Sequence, residues 1–194
     1  MLHSKTDHEE LIDKSTHLLY EIQQFEDKCR RLAQFAEAKD IEEYILHSVF
    51  ESCLIHTRII YEFLFQPGRE TDIRANDFKE KVEYPLPGII DDYLKGWARR
   101  MIDKRLMHLT TNRLTMTKED HRWEINTIYR PLRNQLLVFY AWVPDEHICE
   151  DLKRKKEKGL LEIYSSIRNE SVSAPWGFNV VLDTSGPSLV INKE

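Results

Sequence analysis

The first glycine or proline of this chain is Pro67, and no other feature constrains the fold as much. These two residues are the strongest breakers of regular structure, and residues 1–66 contain neither. Within that span Asp7 and Glu10 have the spacing of a capping box, which opens a helix running to about Ala36. Leu11, Ser15, Leu18, Ile22, Phe25, Cys29, Leu32 and Ala36 recur at steps of three and four, so one stripe faces one side along the whole helix. A second box, Asp40 to Glu43, opens a helix to about Phe65. The short connection makes the two helices antiparallel neighbours, a long αα-hairpin. The second helix is apolar on more than one face, with Ile41, Ile45, Val49, Ile60 and Phe63 in one row and Leu46, Phe50 and Leu54 in another. It is therefore expected to be the central, most buried helix.

Gln66-Pro67-Gly68 ends this hairpin, and the stretch to Pro87-Gly88 lacks clean periodicity apart from a short helical turn expected around Ala75 to Lys81. A third helix is expected over about Ile89 to Leu109. A fourth, capped by Thr117 with Asp120, carries the inward row Ile125, Ile128, Leu132, Leu136, Phe139 and Val143, and Pro131 within it predicts a kink. Pro144 is placed to start a fifth helix that ends before Gly159, with one more helical piece over Leu160 to Ile167. The runs Phe178–Leu182 and Ser188–Asn192 are β-rich around Asp-Thr-Ser-Gly-Pro and predict a hairpin, which needs the helices or another chain to pack on. The expected architecture is mainly α: a four-to-five-helix bundle over residues 1–159, then a C-terminal extension, 160–194, carrying a small β-hairpin.

Several function classes fall away. Cys29, Cys53 and Cys149 are odd in number and form no C-x-x-C pair, so neither a disulfide framework nor a zinc clip is encoded, and a reducing cytoplasm is expected. The N-terminus lacks the apolar core of a signal peptide and no window approaches the ~18 apolar residues of a membrane span, so a soluble protein without membrane contact is expected. Glycines only at 68, 88, 96, 159, 177 and 186 permit neither a P-loop nor a G-x-G-x-x-G. No histidine follows a Glu at the third position and there is no His-Glu-x-x-His, so no metal and no cofactor are expected. A net charge of −5 argues against general nucleic-acid coating. The charge is uneven, however: Lys95 to Arg113 holds six Lys or Arg against Asp103 alone, and Lys153 to Lys158 is a second basic run.

Two polar notches interrupt apolar helices. In the second helix these residues are Glu51, Ser52, Cys53, His56 and Arg58. Glu51 and Arg58 share a face with Glu62, while His56 falls on the apolar row. The alternatives are a polar pocket within the bundle, or a surface Glu–Arg pair beside one hydrogen-bonded core histidine. In the third helix Arg100, Lys104 and His108 step by four along one face, with Arg105 beside them and Asn112 and Arg113 at the exit. A histidine among cations stays neutral near pH 7 and able to accept a proton, and the flanking arginines could hold a phosphodiester. These are the parts of metal-free RNA cleavage. The alternative is a solvated basic face with a histidine favoured by the helix C-terminal dipole.

An αα-hairpin with His56-Thr57-Arg58 in its second helix, followed by Lys104-Arg105-Leu-Met-His108-Leu-Thr110 and Arg113, resembles a family of small bacterial all-helical proteins similar to the HEPN superfamily. The resemblance covers roughly residues 8 to 143. It implies a cytoplasmic homodimer and, for HEPN members that cleave RNA, an Arg and a His sited where two protomers meet, with His108 as the base. The family's Arg precedes its His by a short gap that here ends at Met101, Ile102 or Asp103, with Arg100 one position beyond it. HEPN domains without that motif bind or scaffold, so the resemblance implies a non-catalytic interaction module with a protein partner. The alternative it carries is a metal-independent RNase of a toxin or anti-phage system, with His108 as general base and Arg100, Arg105 and Arg113 on the RNA phosphate.

Overall fold

The computed structural model describes residues 7–37, 41–65, 71–79, 82–85, 122–161, 172–173 and 179–181. The described chain is mainly helical. Helix α1 spans Asp7–Glu37, within a residue of the expected span, and α2 spans Glu43–Phe65, which ends where expected but starts later than the Asp40 box placed it, with Ile41 and Glu42 non-helical. Asp7, Glu9 and Glu10 lie in the first turn of α1, where negative charge offsets the positive end of the helix dipole. The α1 stripe is buried at Ser15, Leu18, Ile22, Phe25, Cys29 and Leu32; the side chain of Ala36 lies outside the described ones.

Helix α2 buries Phe50, Cys53, Leu54, Thr57, Ile60, Phe63 and Leu64 against α1, helix α3 (Ile125–Trp142) and the segment around Phe78. It is not apolar-buried all round. Tyr44 (67% exposed), Ile45 (37%), Ile55 (41%) and Ile59 (36%) face outward, so the expected burial of Ile45 is corrected. The hundred-degree step per residue puts Ile55 and Ile59 on the side away from Cys53, Leu54 and Leu64, whereas Ile45 shares the phase of the buried Phe63 and stands in the first turn of α2.

Helix α3 carries the expected row, with Leu132, Leu136, Phe139 and Val143 buried; the side chains of Ile125 and Ile128 lie outside the described ones. The helix continues through Pro131. It begins at Ile125 rather than at a Thr117 cap, because Arg122–Glu124 are extended and form strand β1. A 3-10 turn at Ala75–Phe78 falls where a short helical turn was expected. Phe78 holds it to the bundle through edge contacts with Phe63 at 6.2 Å between ring centroids and Phe139 at 5.7 Å, and Tyr84, further along the chain, meets Trp142 at 5.4 Å.

Helix α4 spans Glu150–Lys158, so the fifth helix expected from Pro144 starts six residues later than that proline. Pro144 instead precedes a 3-10 turn at Asp145–His147, and the chain then extends at Ile148, which buries that side chain completely. Gly159 ends α4 at φ +75°, ψ −176°, a conformation that L side chains rarely adopt.

Strands β2 (Val172–Ser173) and β3 (Asn179–Val181) complete a small sheet of order β1-β3-β2. β3 runs parallel to β1, with Trp123 opposite Val180, and antiparallel to β2, with Val172 opposite Val180. The other arm of the expected hairpin, Ser188–Asn192, and the third helix, Ile89 to Leu109, lie outside the described residues. Among the described residues no helix is long and apolar enough to cross a membrane.

Candidate functional site

Three features of the described chain bring chemistry-bearing side chains together. The first is the α2 notch. His56 Nδ1 lies 2.7 Å from Glu21 Oε2 of α1, and Tyr20 presents its ring edge-on to the imidazole at 6.2 Å. Arg58 Nε donates to Glu62 Oε1 at 2.9 Å, one turn along the same helix. Glu51 is exposed. The notch residues thus divide: His56 turns toward α1, while Glu51, Arg58 and Glu62 border the outward face that carries Tyr44, Ile55 and Ile59.

The second feature is a buried carboxylate. Glu26 is 3% exposed, accepts a hydrogen bond from the Leu161 N–H at 2.6 Å, and pairs with Lys155 Nζ at 2.5 Å. The Leu161 carbonyl in turn accepts from Tyr129 Oη at 2.7 Å and from Arg133 Nε at 2.9 Å. Glu26 therefore ties α1, α4 and the chain after Gly159 into one polar junction, which satisfies a charge that would otherwise be costly to bury. Burial first, and then the Glu26 charge, push both the Tyr129 and Tyr140 phenols well above the usual tyrosine range. Both phenols are therefore held neutral: Tyr129 donates to the Leu161 carbonyl, whereas the Tyr140 hydroxyl is buried without a hydrogen-bond partner among the described residues.

The third feature is a pair of thiols. Cys29 Sγ of α1 and Cys53 Sγ of α2 lie 3.3 Å apart, both buried. Burial, reinforced by Cys53 and by the Glu26 charge, raises the Cys29 thiol well above its ordinary value. Next to it on the α1 surface, burial pushes the Asp27 carboxyl up, but hydrogen bonds from Arg31, Arg30 and Lys28 outweigh it and hold the group down to about 2.

Of the residues singled out in the sequence, Glu51, His56 and Arg58 are placed as above. Arg100, Lys104, Arg105, His108, Asn112 and Arg113 lie outside the described residues. Among the described residues, no group of three or more His, Cys, Asp or Glu is arranged to hold a metal ion.

Sequence reasoning missed Glu26 and Lys155 as partners. The signal lay in the helical phase, since Glu26 follows Leu19 and Ile22 on the flank of the buried stripe, one turn before Cys29. Lys155 is read from sequence only as part of a basic run, because pairing across more than a hundred residues leaves no local trace. Comparison of the chain with protein-family models, with curated proteins and with solved structures returns no match.

Proposed function

We propose that this chain is a non-catalytic, HEPN-like helical interaction module that works as a cytoplasmic homodimer. The observation that carries the reading is the outward face of α2, where Tyr44, Ile55 and Ile59 stand 67%, 41% and 36% exposed at helical spacing, bordered by Glu51, Arg58 and Glu62. An isolated exposed isoleucine needs no explanation, whereas a row with charges of both signs along its border has the composition of an interface core and rim. The pattern is also self-complementary. Two α2 helices paired antiparallel about Ile55 bring Arg58 of each copy beside Glu51 of the other, as a two-fold contact requires.

Sedimentation and light scattering of the full chain test this. The expected result is a concentration-dependent dimer that Ile55→Glu converts to a monomer with an unchanged helical circular-dichroism spectrum; a wild-type monomer at all concentrations overturns it. The Arg100, Lys104, His108 spacing supports RNA cleavage as the second reading. Incubation with RNA in excess chelator separates the two: cleavage to cyclic-phosphate ends that disappears in His108→Ala replaces the interaction reading with the RNase.

A further inference from the structure

The thiol pair is used by neither reading of function, and it is the one place in the described chain where two redox-active side chains meet. Cys29 and Cys53 belong to different helices, so it is the antiparallel hairpin that sets their sulfurs 3.3 Å apart. An S–S bond is ~2.0 Å long, so closing the pair requires the two sulfurs to approach by on the order of 1 Å. The third thiol, Cys149, cannot readily compete. Its backbone N–H is bonded to Ser15 Oγ, about four turns and roughly 20 Å along α1 from Cys29.

We propose that Cys29 and Cys53 are a modification site: a dithiol that closes to an intrachain disulfide on reaction with a low-molecular-weight disulfide such as oxidised glutathione. The thiolate of one cysteine attacks a sulfur of the small disulfide and expels a small thiolate, which takes up a proton. The other cysteine, once deprotonated, attacks the protein sulfur of the mixed disulfide, forms the Cys29–Cys53 bond and expels the second small thiolate. In sum, the protein gives up two protons and two electrons, and the small disulfide becomes two thiols.

Burial makes this reaction conditional. Cys29 is held as the protonated thiol by its apolar surroundings and by the nearby Glu26 charge, and the thiolate is the nucleophile. In the closed hairpin the pair is therefore inert, and it oxidises through openings of the α1–α2 contact, faster as pH rises. The closed bond then ties the two longest helices of the described chain together, in the C-terminal half of α1 and near the middle of α2.

The test uses the full chain and Cys149→Ser, each reduced, exposed to oxidised glutathione at alkaline pH, quenched in acid, unfolded and alkylated. The expected result is a mass loss of about 2 Da from departure of two hydrogens, a Cys29–Cys53 linked peptide in both proteins, and alkylation only at Cys149 in the wild type. Dithiothreitol should restore the starting mass, and the oxidised form should unfold several degrees higher than the reduced one. Alkylation of all three cysteines after prolonged exposure, a lasting mixed disulfide without closure, or a bridge that includes Cys149 would each overturn the proposal.

Discussion

Replacing Glu26 tests the energetics of the junction between α1, α4 and the chain beyond Gly159. The carboxylate is 3% exposed and has two close partners, Lys155 Nζ at 2.5 Å and the Leu161 N–H at 2.6 Å. Removing one member of a buried ion pair costs about 3 to 5 kcal/mol, chiefly because the other is left charged without a partner. The Lys155 side chain is 18% exposed and regains some water, which places Glu26→Ala near the lower end, about 3 kcal/mol. Glu26→Gln keeps an acceptor for the Leu161 N–H and loses only the charge, so about 1.5 kcal/mol is expected. Lys155→Met leaves the carboxylate buried and unpaired, which is the worse defect, whereas Glu26→Gln combined with Lys155→Met leaves no charge at all. Urea unfolding followed by circular dichroism should therefore show the double variant more stable than Lys155→Met alone, with a coupling of at least ~1 kcal/mol. If the two single effects simply add, within about 0.5 kcal/mol, the pair is not coupled and the account of this junction is wrong.

Two further outcomes follow from the same geometry. Tyr84 Oη donates to the Gln135 carbonyl at 3.1 Å and accepts from Gln135 Nε2 at 2.5 Å, and burial, only partly offset by Gln135, pushes its phenol up to about 12. A raised folded value means that the stability it lends is complete below pH 10 and is lost as pH rises toward 12; Tyr84→Phe should flatten that alkaline limb in a pH series of unfolding curves and cost about 1 to 3 kcal/mol at neutral pH. Gly159→Ala meets nothing within 4 Å of the added carbon, so its cost, about 1 to 3 kcal/mol by chemical denaturation, comes from backbone conformation alone; a neutral substitution there would refute the assignment of strain to φ +75°.

The hairpin was legible because its signals are local. The uninterrupted stripe from Leu11 to Leu32, the acidic first turn of α1 and the absence of Gly and Pro each act within a few turns, whereas α2 begins at Glu43, later than the Asp40 box placed it. The exposure of Ile55 and Ile59 was not legible, since hydropathy marks what can be buried and the number of neighbouring helices decides what is. The start of α4 was misplaced because Pro144 suits a first helical turn, yet the buried seat of Ile148 lies in the fold and not in the neighbouring sequence. Of the candidate site, the notch was visible as polar residues in an apolar helix, but its division into a His56–Glu21 contact and an Arg58–Glu62 pair depended on where α1 lies. Cys29 was visible on the buried stripe and Cys53 as part of the notch, and their meeting depended on the register of the hairpin.

Ser15 sits in the apolar stripe of α1 with no exposure. Its hydroxyl donates to the Ile12 carbonyl at 2.7 Å and accepts from the Cys149 N–H at 2.7 Å, across 134 positions of sequence. It thereby supplies at the start of α4 the acceptor that a local capping side chain would otherwise provide. That sets an order of events for the chain as it folds. The α1–α2 hairpin closes through a short connection, whereas the Ser15 contact at the start of α4, like the pairing of Glu26 with Lys155, needs the long return of the chain to α1. A contact that spans 134 positions carries a large loop-closure cost, so Ser15→Ala is expected to speed unfolding more than it slows folding, which stopped-flow unfolding and refolding arms would check. On that expectation the Ser15 hydroxyl acts as a brake on unfolding, placed where the C-terminal helix meets the start of the N-terminal one.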